Sequence, residues 1–441
     1  MAPSLFRFWL ALAAEIALCA ALNFFDDWTR ETMPVRFVAT AMLCGIAYWF
    51  AVSHFPSLKS MGRQALAFWA VAIVLRLVVL PLEPGDDLWR YQWEGEIQHS
   101  GVNPYVTPPD APELTDQASK FSPWAKINHR DFAAIYPPGT ELMFRALSRI
   151  SRQPLFYKVI FAAADLGAVA LLLQILGGAD RYRRAAWYAW NPLVVYSFAG
   201  SAHFDSVMIC ALLAGVHFLQ RQENAQRSRE KWLFALAAAA AIGLAISLKL
   251  VPVLLLLVCA FALGKRVVTL LLSLAIPGLL SVVYGWPKVA IWASLRRFAY
   301  VTRLNDLFWW FAEDFIWSNS RQKNYHYNVI LAGVAIALSL LFFRNWKRGL
   351  LWVLGAALVL SPVLHPWYCT WILPFATWRG RYAWHVLSIT LFAYFLFWDA
   401  QLFVLAWHAD PWMRALIIVP PLVAASLFAW RERRLRVIGP P

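Results

Sequence analysis

The fold class this sequence predicts is an all-α, polytopic membrane protein, and three observations predict it. Of 441 residues, 61% are hydrophobic and only 15% are charged, against about 25% charged residues in an ordinary soluble domain. Apolar runs recur along the chain, separated by Pro, Gly and short charged clusters. None of the long Leu/Ala/Val runs alternates as the strands of a membrane barrel do.

Taken in order, the apolar runs place about fourteen transmembrane helices, at 8–24, 36–55, 64–82, 155–176, 185–199, 204–220, 232–247, 250–263, 267–284, 327–343, 349–362, 366–378, 384–399 and 413–430. The first run follows Arg7 but carries a weak cleavage signature, so it reads as an uncleaved helix. The stretch 232–263 is too long for one crossing at about 1.5 Å per residue. Lys249 and Pro252 supply its break. The chain reads as one integral domain, 1–441. Three N-terminal helices (1–82) precede a large outer loop (83–154), and the remaining helices (155–430) enclose a second outer loop (285–326).

A net charge of +15 could point to nucleic acid, but the bases sit in clusters between apolar runs: DRYRR, RQENAQRSREK, GKR, RNWKR, RGR and RERRLR. That is the pattern of cytoplasmic membrane loops, and it excludes a nucleic-acid partner. With the N-terminus inside, the short inner segments hold Arg7, Lys59, Arg63, Arg181, Lys231, Lys265, Arg344, Arg379, Arg431 and their neighbours. The short outer segments hold only Arg30, Arg36 and Lys249. Both termini are therefore expected in the cytoplasm and both long loops outside a plasma or inner membrane. The five cysteines are scattered with no CxxC, which excludes a disulfide framework or zinc site.

The loop 83–154 is too long to be a mere connection. Its middle carries Pro104, Pro108, Pro109, Pro112, Pro123, Pro137 and Pro138, which exclude a continuous helix. Its start, 86–100, can be helical. At about 100° per residue, Trp89, Trp93 and Ile97 share one face, as anchors in the outer headgroup layer would. Asp87, Tyr91, Glu94 and Gln98 share the opposite face, with Arg90 at its edge, and that polar face is expected to be available for chemistry.

The same topology brings further polar groups to the outer surface: His203 and Asp205 in GSAHFD, Lys249 in SLKLVP and His365 in SPVLHPWY. Ionisable groups at membrane boundaries are a functional hypothesis. Each also has a structural reading. Asp86 and Asp87 can cap a helix, His203 and Asp205 can be turn residues, Lys249 can snorkel to headgroups, and His365 can be an interfacial histidine.

The pieces GDDLWRYQWEGEIQHSGVNPY (85–105), INHRDFAAIYPPGTELMF (127–144), WNPLVVYSFAGSAHFDS (190–206), SLKLVP (247–252) and HPWYCTWILPF (365–375) together resemble the GT-C superfamily of multi-pass glycosyltransferases. The likeness is to bacterial mannosyltransferase-like members, related in motif to the first mannosyltransferase of the GPI-anchor pathway. The resemblance implies a hexosyltransferase on the non-cytoplasmic face, with a polyprenyl-phosphate sugar as donor, mannose foremost, and a glycan or lipid as acceptor. It implies that Asp86 and Asp87 supply the catalytic carboxylate. At the following acidic position, where the family more often has Asp, this chain has Glu94.

The chemistry asks for one base to take the acceptor's proton and for cations to hold a leaving phosphate. Asp87 is the expected base, on the face of Tyr91 and Glu94, with Asp86 capping or orienting. Lys249, His203 and His365 are expected toward the donor phosphate, with Arg90, Tyr91, Glu94, Asp205 and Tyr136 among the substrate-binding residues. One base aided by cations implies inversion at the anomeric carbon. No motif demands a cofactor or metal, although two adjacent carboxylates have the chemistry to hold a divalent ion. The alternative is a multi-pass transporter or lipid-linked-sugar flippase. Such proteins usually carry internal repeats, and this sequence shows none.

Overall fold

Long stretches of Leu, Ala, Val and Ile have the composition of buried or lipid-facing helix, and in lipid a helix satisfies its own backbone polar groups. The computed structural model accordingly builds the chain from helices and describes residues 3–27, 30, 32–56, 60–264, 266–317, 324–399 and 410–438. In chain order these helices are α1 (Pro3–Ala21), α2 (Met33–Ser53), α3 (Met61–Val79), α4 (Asp87–Ile97), α5 (Thr115–Lys120), α6 (Pro138–Ile150) and α7 (Pro154–Leu176). Next come α8 (Arg181–Ala189), α9 (Pro192–Val195), α10 (Asp205–Asn224), α11 (Ser228–Leu248), α12 (Leu256–Leu263), α13 (Arg266–Val282) and α14 (Ala293–Val301). The last are α15 (Trp309–Phe315), α16 (Tyr325–Leu341), α17 (Trp346–Val359), α18 (Leu373–Arg379), α19 (Ala383–Thr390) and α20 (Pro411–Ile438). Among the described residues the β pairing is an isolated bridge between Leu304 and Val363. Lys59, Lys265 and residues 318–323 of the second loop lie outside the described residues.

Each of the fourteen apolar runs coincides with helical structure, but fourteen crossings are not supported. Six helices are long and apolar enough to cross a membrane: Leu5–Phe24, Met33–Ser53, Met61–Val79, Pro154–Leu176, Ser228–Leu248 and Pro411–Arg434. A seventh is added if Pro192–Gly200 and Asp205–Asn224 count together as one broken span. The remaining runs, such as Val251–Leu263 and Ala383–Asp399, form shorter apolar helices. Apolarity marks these segments, and their length decides which can bridge a hydrocarbon core of about 30 Å. The chain is an integral membrane protein.

The chain divides into two compact units. One comprises 1–83, 176–200 and 364–441, and the other comprises 84–175 and 201–363. In the first unit, Asn191 caps α9 through Leu193 N and Val194 N and donates to Ser388 Oγ at 2.8 Å. Tyr48 donates to the Trp187 carbonyl at 2.6 Å.

In the second unit α10 and α11 pack side by side, joined by the short link after Asn224. Thr140, in the first turn of α6, donates to the Leu248 carbonyl at 2.5 Å, at the C-terminal end of α11. Gly139 allows this approach, because a Cβ there would lie 2.6 Å from the Ser247 carbonyl oxygen. The segment carrying α4 to α6 is thereby docked at one end of the α10–α11 pair.

Here the structure corrects the expected placement of α4. Trp89, Trp93 and Ile97 do not face lipid; they are buried with Ala111, Leu114, Phe121 and Ile127 from the Pro-rich stretch that follows. The opposite face is buried too, with Tyr91 stacked on Phe144 of α6 at 4.5 Å between ring centroids. The helix periodicity is as read, but protein covers both faces.

Candidate active site

The second unit brings Asp86, Asp87, Tyr91, Tyr136, His203, Asp205 and Lys249 together at the end of α10 and α11 where α6 docks. Gly85 starts the arrangement. Its N–H donates to the Ser201 carbonyl at 3.0 Å, and a Cβ at Gly85 would lie 2.5 Å from Ser201 Oγ. Only a residue without a side chain lets the backbone before the acids close on the GSAHFD turn. That turn is tight: Ala202 adopts φ +63°, uncommon for a non-glycine residue.

Asp86 is exposed and opens α4, its Oδ1 accepting from the Asp87 N–H at 3.0 Å. Asp87 lies deeper, its side chain 20% exposed. Its Oδ2 faces His203 Nδ1 at 3.6 Å and accepts from the Tyr91 hydroxyl at 3.4 Å. The Asn128 amide donates to both acids, to Asp86 Oδ2 at 3.0 Å and Asp87 Oδ1 at 3.1 Å. Burial first, and the Asp86 charge second, push the Asp87 carboxyl up to about 7, against the opposing pull of Asn128 and Lys249.

His203 is buried and its Nε2 meets Ser201 Oγ at 3.2 Å. Asp205, in the first turn of α10, holds the Lys249 ammonium at 2.6 Å with side-chain exposures of 1% and 14%. Lys249 also lies over the Phe204 ring, 5.2 Å from its centroid. Phe204, Tyr136, Tyr91 and Phe144 form an aromatic wall in which Tyr136 stands edge-on to the other three. Lys249 ends α11 in extended backbone, two residues before the turn at Val251–Leu255.

Two of the expected site residues, Arg90 and Glu94, are held in a buried network, and a third, His365, belongs to the other compact unit. Arg90 is 4% exposed and its guanidinium is engaged by Glu94 Oε1 at 2.8 Å and by the carbonyls of Asn128, His129 and Phe132. Glu94 is 1% exposed and beside Glu141 of α6. Burial first, and the Glu94 charge second, hold Glu141 well above the usual carboxylate range, and the two acids titrate as a pair. Gln98 and Tyr284 complete this buried network, Tyr284 donating to Gln98 Oε1 at 2.8 Å. His365 belongs to the first unit, its Nδ1 3.2 Å from the Tyr394 hydroxyl and its ring stacked on Trp367.

Asn128 and Glu141 escaped the sequence reading. Both lie in the stretch 127–144 that carries the family likeness. Asn128 is a carboxamide among loop residues, and Glu141 is an acid on the face of α6 that meets α4. Among the described residues, no group of three or more His, Cys, Asp or Glu is arranged to hold a metal ion.

Residues 8–265, more than half of the chain, match the MptA/B family described as alpha-(1->6)-mannopyranosyltransferase, N-terminal domain. The chain belongs to this family. It is a GT-C-type mannosyltransferase that draws on polyprenyl-phosphate mannose. The matched region contains both acids, Asn128, His203, Asp205 and Lys249, whereas His365 lies beyond it. No curated protein and no solved structure shows a significant match.

Proposed function

We propose that this mannosyltransferase forms an alpha-(1->6) mannosidic bond by single displacement on the non-cytoplasmic face of a plasma or inner membrane, with Asp87 as the base. The observation that carries this reading is Asp87 itself. It is a partly buried carboxylate, fixed by Asn128 and flanked by His203 and Tyr91. Its pKa near 7 matches the task of taking a hydroxyl proton at neutral pH.

In the proposed step the acceptor's 6-hydroxyl oxygen attacks the anomeric carbon of the donor. The carbon–oxygen bond to the phosphate breaks, and Asp87 receives the hydroxyl proton. Polyprenyl phosphate departs with the bonding electron pair as a stable anion, so no strong general acid is needed. Inversion to an alpha product calls for a beta-linked donor. Lys249, oriented by Asp205, and His203 face the donor phosphate; Tyr91 and Tyr136 line the sugar's path; Asp86 orients the start of α4. The acceptor is a glycan or a glycolipid.

Charge supports the sidedness. The acids and Lys249 occupy one end of the α10–α11 pair, and Arg221, Arg227, Arg229 and Lys231 lie in the link or the helix turns beside it at the other end. Basic links face the cytoplasm.

The test is transfer by the purified protein from a panel of polyprenyl-phosphate sugars, comparing wild type, Asp87→Asn and Asp86→Asn. A loss of about 10²–10⁴-fold at Asp87 and a smaller one at Asp86 is expected. Full transfer by Asp87→Asn would remove Asp87 from the base role.

A further inference from the structure

Arg90 does not contact the acid pair, yet two short connections join it to Asp87. The first is covalent: both residues stand on α4, one turn apart. The second runs through the loop that faces them. The guanidinium gathers three backbone carbonyls, from Asn128 at 3.3 Å, His129 at 2.9 Å and Phe132 at 2.5 Å, while its Nε stays on Glu94. In this loop His129 adopts φ +43°, which is uncommon for a non-glycine residue. From the same loop the Asn128 amide reaches back to Asp86 Oδ2 and Asp87 Oδ1.

We propose that Arg90 is a positioning residue of the transfer reaction: by clamping the 128–132 carbonyls it holds the Asn128 amide across Asp86 and Asp87. This keeps Asp87 Oδ1 occupied and turns Oδ2 toward His203 and Tyr91, where the acceptor hydroxyl arrives. The inference rests on the reading of Asp87 as base. A planar guanidinium can serve a carboxylate and three carbonyls at once, and an ammonium cannot match that fork. Arg90→Lys therefore keeps the charge opposite Glu94 and loses the clamp.

The groups facing Asp87 are Asp86 and Tyr91 from α4, Asn128 from the loop, His203 and Asp205 at the start of α10, and Lys249 at the end of α11. Arg90→Lys alters none of them directly, so a changed response of Asp87 reports Asn128.

The experiment is a double-mutant cycle on the full-length enzyme, with kcat, donor KM and the acid limb of the pH profile as readouts. Arg90→Lys and Asn128→Ala are each expected to lower kcat by up to about 100-fold, with donor KM little changed. Both should move the acid limb to higher pH, and the double variant should be no worse than Asn128→Ala alone. Losses that multiply, or an acid limb unmoved by Arg90→Lys, overturn the proposal. If Arg90→Lys does not fold, the neutral pair Arg90→Gln with Glu94→Gln removes the clamp without stranding a buried charge, and the same outcomes apply. Asp87→Asn separates the two ideas. Full transfer by that variant removes the base assignment, whereas an inactive Asp87→Asn beside independent Arg90 and Asn128 effects removes only the positioning role.

Discussion

The Lys249 ammonium lies 2.6 Å from Asp205 Oδ1, joining the residue that follows α11 to the first turn of α10. The Asp205 side chain is 1% exposed, and removing a cation from beside a buried carboxylate is costly. Lys249→Met should destabilise the protein by about 3–5 kcal/mol, the usual cost of stranding a buried charge. Lys249→Met combined with Asp205→Asn should regain most of that stability but not transfer activity. Thermal unfolding in detergent beside a transfer assay checks both; a stable single mutant would show that the pair is dispensable to the fold.

The raised Asp87 pKa fixes the pH response. The base must be deprotonated, so kcat/KM should rise with pH through about 7 on its acid limb. For stability the sign is opposite. A folded-state pKa above the unfolded value near 4 makes the folded form take up protons, so this group's contribution weakens as pH rises through about 7. Asp87→Asn should therefore raise Tm relative to wild type at pH 8, and the gain should shrink at pH 5.

Glu94 and Glu141 are buried neighbours with different partners, Arg90 sitting on Glu94 alone of the two, and substitution tells them apart. Burial and the Glu94 charge hold the Glu141 carboxyl well above the usual range, so Glu141→Gln should change stability by less than about 1 kcal/mol. Glu94→Gln deprives buried Arg90 of its counter-ion and should cost about 3–5 kcal/mol. Equal losses in denaturation experiments would mean that Arg90 does not set the two acids apart.

Gly85→Ala places a methyl group against Ser201 Oγ. Overpacking of this kind costs about 1–3 kcal/mol, and the acids should shift away from His203 with a fall in kcat. Adding Ser201→Ala removes the nearest atom and should recover part of the stability. No change in either property would show that the loop yields freely.

Sidedness is open to direct labelling. A cysteine introduced at exposed Asp116 should react with a membrane-impermeant maleimide in intact cells, and one at exposed Arg229 should react only after permeabilisation. The reverse pattern would invert the topology.

Composition and patterning set the class and the raw materials. Apolar runs forced helical structure, because a backbone in lipid or in an apolar core must satisfy its polar groups internally, but of the fourteen expected spans six or seven are long enough to cross. The acid pair, GSAHFD and SLKLVP were legible as one site because charge is scarce in this chain. Tertiary structure decided what covers each face and what each charge meets. Periodicity marks Trp89, Trp93 and Ile97 as an apolar stripe, but lipid and a folded loop are equally apolar partners. A guanidinium suits a phosphate, a carboxylate or a set of carbonyls, so only packing could assign Arg90 to Glu94 and the 128–132 loop. Asn128 carries no charge and no periodicity to announce it, and its role appears only when the loop folds back over the acids.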